Sequence, residues 1–141
     1  MERVLYTQGN FDLLNYGHVQ FLERCFMICN KVVVSLNTDE FIEEITGYAP
    51  VMNYDERRKS LLKGPWVYDV VENIGEENSK QTIMEVMPEI IAVGSNWAQK
   101  EFYEIMGFTQ DWLDKNSIIL AYIPITTTIS TNEIIERVKR R

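Results

Sequence analysis

The chain has 141 residues, a length that suits one domain around a single well-formed core. Its 45% hydrophobic and 25% charged residues match an ordinary globule, and no apolar run approaches the length that crosses a bilayer. A net charge of −7 excludes a general nucleic-acid binder, because binding a phosphate backbone rests on clustered Lys and Arg.

Strand and helix signals alternate along the chain. Val4 to Thr7 predicts a short strand reached directly from the first residue, so no secretory leader is expected. The turn Gly9-Asn10-Phe11-Asp12-Leu13-Leu14-Asn15-Tyr16-Gly17-His18 follows, and then a helix over Val19 to Ile28. Cys25 and Cys29 lie four apart on that helix; with one His they make no ordinary zinc site and read as buried thiols of a cytoplasmic protein. Lys31 to Leu36 is a β-branched run typical of a buried parallel strand. Asp39 to Ile45 reads as helix, and Asn53 caps another through Leu62, stopped by Gly64-Pro65.

Val67 to Val71 predicts the third strand, and Glu72 to Glu77 a solvated loop. Ser79 caps a helix to Val86, and Ile90 to Val93 is a fourth strand ending at Gly94. Met84, Met87, Phe102, Tyr103 and Phe108 read as core or subunit contact. Ile118 to Ile123 is the fifth strand. Ser130-Thr131-Asn132-Glu133 opens the last helix as a capping box, and the basic run Arg137 to Arg141 suits its C-terminal end.

The alternation predicts one α/β domain over residues 1–141. It would be a Rossmann-like, doubly wound, five-stranded parallel sheet with helices on both faces. Ligands of such sheets bind beyond the carboxyl ends of the strands. Gly9 to His18, Ser35 to Asp39, Gly94 to Trp97 and Ile125 to Thr131 converge on that edge. His18, the single histidine, stands there at a helix N-terminus beside a glycine turn. A lone His is most simply a capping or half-buried residue. Here its flanks favour an anion: the helix dipole and free N–H groups attract phosphate, and the ring adds a donor.

These edge segments resemble the cytidylyltransferase-like nucleotidyltransferases, most of all the glycerol-3-phosphate cytidylyltransferases. That family opens with G-T-F-D-x-x-H-x-G-H and L-E-R-A, matched by Gly9 to His18 and by Leu22-Glu23-Arg24-Cys25. Its S-x-x-D-E-F is matched by Ser35 to Phe41, and its P-V-M-x-x-x-E-R-x-x-x-L by Pro50 to Leu61. Its R-T-x-G-I-S-T-T-x-I reappears in Ile125 to Ile134.

The resemblance implies transfer of CMP from CTP to a small phosphate ester such as glycerol 3-phosphate, with pyrophosphate released. By the same resemblance His18 and Asn15 are catalytic, donating near the α-phosphate. Gly9, Asn10, Phe11, Asp12 and Gly17 lie against the nucleotide, with Gly94 and Trp97 near the nucleoside. Thr126, Thr128, Ile129, Ser130 and Thr131 hold the β- and γ-phosphates. Lys80 and Lys100 are candidate substrate-binding cations. Mg2+ is expected with the triphosphate rather than in a site made by side chains alone, and Asp12 could position the turn or meet that ion. The family's habit suggests a homodimer, while the thiols, the charge and the lack of a long apolar run lead us to expect a cytoplasmic protein with no nucleic-acid or membrane partner.

The chain also departs from the family. Asn15 replaces the first histidine, Ile125 the arginine and Thr128 the glycine of the last motif, and Ser95-Asn96 an acidic pair. No lysine lies between Phe41 and Pro50, no arginine precedes the Val67 strand, and an extra segment lies between Lys100 and Ile118. Each charge-assisted bond to a triphosphate contributes roughly 1.5–3 kcal/mol, so lost cations bear directly on function. Arg57 and Lys63 are further cations that could replace them. Two alternatives therefore stand beside cytidylyl transfer. One is a weak or inactive relative that binds nucleotide or a protein partner; the other is a transferase of altered base or acceptor, such as adenylyl transfer.

Overall fold

The computed structural model describes residues 3–94, 103 and 106–141, with backbone alone at 76–78. Five parallel strands form one sheet in the order β3-β2-β1-β4-β5, so the connection from β3 to β4 crosses back over the sheet. This is the expected doubly wound arrangement, and its switch point lies between β1 and β4.

β1 (Val4–Gly9) leads into α1 (Tyr16–Ile28) and β2 (Lys31–Asn37). α2 (Asp39–Thr46) and α3 (Tyr54–Lys63) precede β3 (Asp69–Asn73). α4 (Glu76–Val86) leads to β4 (Ile90–Gly94); α5 (Gln110–Lys115), β5 (Ile119–Ile123) and α6 (Thr131–Lys139) complete the described elements. Strand side chains alternate between two cores. Leu5, Val32, Val34, Leu36 and Ala92 meet Phe21, Leu22 and Cys25 of α1 and Leu61 of α3 on one face. Tyr6, Ile91 and Val93 meet Ile83 of α4 and Leu113 of α5 on the other. Both cysteines are free and buried, as their spacing suggested.

Several boundaries differ from the sequence expectations. α1 starts at Tyr16 rather than Val19, because Asn15 supplies the cap and His18 closes a capping box three residues on. β3 runs Asp69–Asn73 rather than Val67 to Val71: Val67 is buried but outside the ladder, while the polar Asn73 is inside it and fully buried. The stretch read as a solvated loop thus contains a strand end and the start of α4. Ser79 is not a cap. It lies within α4, whose N-cap Gly75 offers no side-chain bond, and its hydroxyl donates to Asn73 Oδ1 at 3.2 Å. The inserted segment includes α5, capped by Thr109, with Met106, Phe108 and Leu113 buried. Met84 and Met87 are exposed rather than core, and Phe102 lies outside the described residues. The capping box of α6 is half made: Ser130 Oγ accepts from Glu133 N–H, but the Glu133 carboxylate turns to Arg137 and Arg140.

Candidate active site

The turn between β1 and α1 carries backbone strain. Phe11 (φ 46°) and Leu13 (φ 49°) both adopt left-handed conformations that bulky residues avoid. Their surroundings hold them there. Both carboxylate oxygens of the buried Asp12 accept backbone N–H groups, from Val51 at 2.7 Å and Met52 at 2.9 Å. The fully buried Arg57 answers from α3, donating to the carbonyls of Met52 (2.9 Å), Asn10 (2.9 Å) and Asn37 (2.8 Å) and to Asp39 Oδ1 (2.6 Å). Four of its five N–H donors are thereby used. Arg57 is therefore a clamp between β1, β2, α2 and the 50–52 loop, not a spare cation for phosphate.

A chain of amides extends this bracing across the carboxyl edge. Asn37 Nδ2 donates to Asn10 Oδ1 and Asn73 Nδ2 to Asn37 Oδ1, each at 2.7 Å. Ser79 joins the chain at Asn73, and its hydroxyl also lies 3.3 Å from Gln8 Oε1. Nothing in the sequence announced this network, because hydrogen-bonding partners on separate strands leave no local pattern.

Asn15 and His18 sit at the first turn of α1. Asn15 Oδ1 accepts from Gly17 N–H at 2.9 Å, and Asn15 Nδ2 donates to Leu13 O at 2.9 Å. The Asn15 N–H donates to His18 Nδ1 at 3.2 Å. A backbone N–H can only donate, so Nδ1 is the unprotonated nitrogen and the neutral ring carries its hydrogen on Nε2. Burial pushes the His18 pKa down to about 4, partly opposed by the nearby Asp12 charge. The imidazole packs against Phe11, with ring centroids 5.3 Å apart. His18 is thus a neutral donor of fixed tautomer.

The loop after β5 brings a second helix N-terminus to the same place. Thr131 Oγ1 donates to Asp12 O at 2.6 Å and lies 3.5 Å from Asn15 Nδ2. Gly17 explains the close approach, since a Cβ there would lie 2.6 Å from Ile129 O. Arg24 of α1 donates to Pro124 O and to Thr126 Oγ1, and the Thr126 hydroxyl donates to Gln20 Oε1 at 3.1 Å. Thr127 Oγ1 accepts from Ile129 N–H, while Thr128 and Ser130 are exposed. The N-termini of α1 and α6 therefore converge beside the strained turn. Gly9, Asn10, Phe11, Asp12 and Gly17 form one wall, and Ile129, Ser130 and Thr131 the other.

The remaining candidates divide. Gly94 ends β4 at the same edge, and the Lys80 ammonium lies 5.8 Å from the centroid of the Trp112 ring. Trp97 and Lys100 lie outside the described residues, as do Ser95 and Asn96. No group of three or more His, Cys, Asp or Glu residues suited to a metal is found among the described residues, and both Asp12 oxygens are engaged by backbone. A 510 Å³ groove lined by Lys31, Tyr68, Asp69 and Glu85 lies between β3 and α4, away from these two helix starts.

A parallel doubly wound sheet with paired helix N-termini at its carboxyl edge is the frame of a nucleotide-binding α/β domain. The family model for cytidylyltransferase-like proteins matches residues 6–137, and the chain belongs to that nucleotidyltransferase family. Among curated proteins it is 28% identical over 140 residues to bifunctional protein HldE of Aeromonas hydrophila. It is 34% identical over 100 residues to that of Chromohalobacter salexigens. The first match covers 99% of this chain but 28% of the relative, and the second 71% and 21%, so the chain spans about a quarter of their length. Among solved structures, the lipopolysaccharide core biosynthesis protein of Thermoplasma volcanium superposes with a TM-score of 0.71 at 21% identity, over 92% of this chain and all of that one. Pantothenate synthetase of Thermus thermophilus superposes with a TM-score of 0.60 at 13% identity, over 99% of this chain and 64% of that one. At these identities the two structures establish the fold. No helix among the described residues is long and apolar enough to cross a membrane.

Proposed function

We propose that the chain transfers a nucleotidyl group. A phosphate oxygen of a small phosphate ester attacks the α-phosphorus of a nucleoside triphosphate, the bond to the β-phosphate oxygen breaks, and pyrophosphate leaves. CTP is the donor and glycerol 3-phosphate the model acceptor. Because the Thermoplasma neighbour is named for lipopolysaccharide core biosynthesis, sugar phosphates are the next acceptors to assay. The carrying observation is His18, a neutral Nε2–H donor fixed by its capping bond where two helix N-termini meet.

This arrangement suits in-line displacement without a covalent intermediate, in which catalysis is positioning plus stabilisation of charge. His18 meets charge developing on the α-phosphate, and Asn15 sets the histidine rather than donating beside it. Ser130 and the first-turn N–H groups of α6 meet the outer phosphates. Mg2+ enters as part of the substrate triphosphate and requires no ligand from the chain. The acting species is a cytoplasmic homodimer.

One observation favours a second reading, a nucleotide-binding relative with little turnover. Arg57 spends four of its five donors on protein groups, Arg24 turns two of its own to Pro124 and Thr126, and His18 is uncharged. Pyrophosphate release with CTP, ATP, GTP and UTP, each with a panel of phosphate esters, separates the readings when run beside nucleotide-induced melting shifts. Turnover with CTP supports cytidylyl transfer, and turnover with ATP alone replaces it by adenylyl transfer. A melting shift without turnover supports the binding relative. No shift with any nucleotide removes all three.

A further inference from the structure

We propose that a one-way ladder of amides turns the Asn10 side-chain donors toward the phosphate of the acceptor, with Asn37, Asn73 and Ser79 as positioning residues that never touch it. The ligand half of this inference rests on the transfer reading above. β1, β2 and β3 are neighbours in the sheet. Asn10 follows the last residue of β1, Asn37 ends β2 and Asn73 ends β3. The parallel register pairs Gly9 with Leu36 and Asn37 with Asn73, so the three amides stand at one level across the strand ends. Arg57 Nη1 donates to the backbone carbonyls of Asn10 (2.9 Å) and Asn37 (2.8 Å), which fixes those two residues against each other.

The side-chain bonds all run one way. The Ser79 hydroxyl donates to Asn73 Oδ1 at 3.2 Å. Asn73 Nδ2 then donates to Asn37 Oδ1, and Asn37 Nδ2 to Asn10 Oδ1, each at 2.7 Å. Asn37, Asn73 and Ser79 are all buried. No single amide among them can turn over, because that would set oxygen against oxygen or nitrogen against nitrogen. β3 is the edge strand, and Ser79 of α4 closes the ladder there. The other end is open. Asn10 is half-buried, and its Nδ2 has no protein partner among the described residues. Both Nδ2 hydrogens are left for a ligand, and an ionised phosphate oxygen is an acceptor. The place suits the attacking group. Asn37 is one residue past Leu36 and so lies on the α4 face, whereas α6 begins against Gly17 on the α1 side. In-line displacement sets the entering and leaving oxygens on opposite sides of the α-phosphorus. With the outer phosphates at the start of α6, the acceptor enters over the amide ladder.

A carboxylate tests the direction, since it accepts but cannot donate. Asn73→Asp should draw the Asn37 Nδ2 bond to itself, so that Asn37 and Asn10 both turn over and Asn10 presents its oxygen outward. Titrating isotope-labelled protein with glycerol 3-phosphate, followed by NMR, reads the Asn10 side-chain NH2 signals and the affinity together. Those signals should shift in the wild type; inorganic phosphate should reproduce the shift and glycerol should not. Asn10→Ala should bind about tenfold more weakly, and Asn73→Asp about 100-fold, because an opposed oxygen replaces the donor. In an Asn10→Ala background, Asn73→Asp should cost about threefold or less, which separates the ladder from the added charge. If Asn73→Asp does not fold, Asn37→Ala carries the test. Freed of its anchor, the Asn10 amide loses its single orientation and affinity falls about threefold, with no further loss in the Asn10→Ala background. Asn10 signals unmoved by phosphate, a shift produced by glycerol alone, wild-type affinity in Asn10→Ala, or losses that persist in that background overturn the proposal. Failure of the transfer reading looks different: Asn10 answers phosphate as described, yet no nucleotide yields pyrophosphate. That result supports the ladder and retires the reaction.

Discussion

The two walls of the candidate site are built in opposite ways. The β1–α1 turn is braced from every side, by Asp12 on the 50–52 backbone, by Arg57 through four hydrogen bonds, and by the Asn10–Asn37–Asn73 amide chain. The α6 wall is fastened by the Thr131 hydroxyl, the Gly17–Ile129 approach and the hold of Arg24 on residues 124 and 126, and its helix buries no residue. The strained wall is the rigid one. Strain at Phe11 and Leu13 costs on the order of 1–3 kcal/mol each and persists only where neighbours over-determine it. The α6 wall carries no such strain and can adjust to ligand, so binding should tighten it more than the turn.

Breaking the rigid wall should have the largest effect. Arg57→Ala strands three carbonyls and Asp39, and should cost about 3 kcal/mol, with a melting temperature lower by roughly 10 °C. Gly17→Ala attacks the joint between the walls, since its Cβ would lie 2.6 Å from the Ile129 backbone oxygen and would push the α6 wall away from α1. The variant should lose about 1–3 kcal/mol of stability and a larger share of nucleotide affinity, read by denaturation beside titration. Thr131→Val removes one hydroxyl bond from the adjustable wall and should cost about 1 kcal/mol, while hydrogen exchange slows less in α6 than in wild type when nucleotide binds.

The last effect is read against pH. The His18 pKa is about 4 in the folded protein and about 6.5 when unfolded, so its contribution is whole above pH 6.5 and is lost as pH falls toward 4. Wild-type stability should therefore fall more steeply than that of His18→Gln between those values. Activity should show no titration of His18 between pH 6 and 8.

The layered fold was legible because parallel strands such as KVVVSL and helices with capping residues write their pattern locally. Boundaries failed where long-range pairing decided them. Asn73 entered β3 because it bonds Asn37, and Ser79 left its expected cap for that same amide chain. At the site, the motif positions of His18, Ser130 and Thr131 were legible. The partners of their neighbours were not: Arg57 resembled a spare cation and Asn15 a phosphate donor, and Asp12 was open between positioning the turn and meeting Mg2+. Their actual partners lie 18 to 47 residues away for Arg57 beyond its own loop, and 39 and 40 residues away for Asp12. For Asn15 the partners are Leu13 O in the turn and its own helix, in a capping box made with histidine where glutamate or glutamine is usual.

The central claim is that a neutral, capped His18 drives nucleotidyl transfer where two helix N-termini meet. The most direct test measures pyrophosphate release from CTP with glycerol 3-phosphate by wild type and His18→Ala, both checked for unchanged melting. The account predicts turnover by the wild type and a loss of about 100- to 1,000-fold in kcat for the variant, as for removal of one fixed donor to developing charge. Equal rates in the two proteins would contradict it.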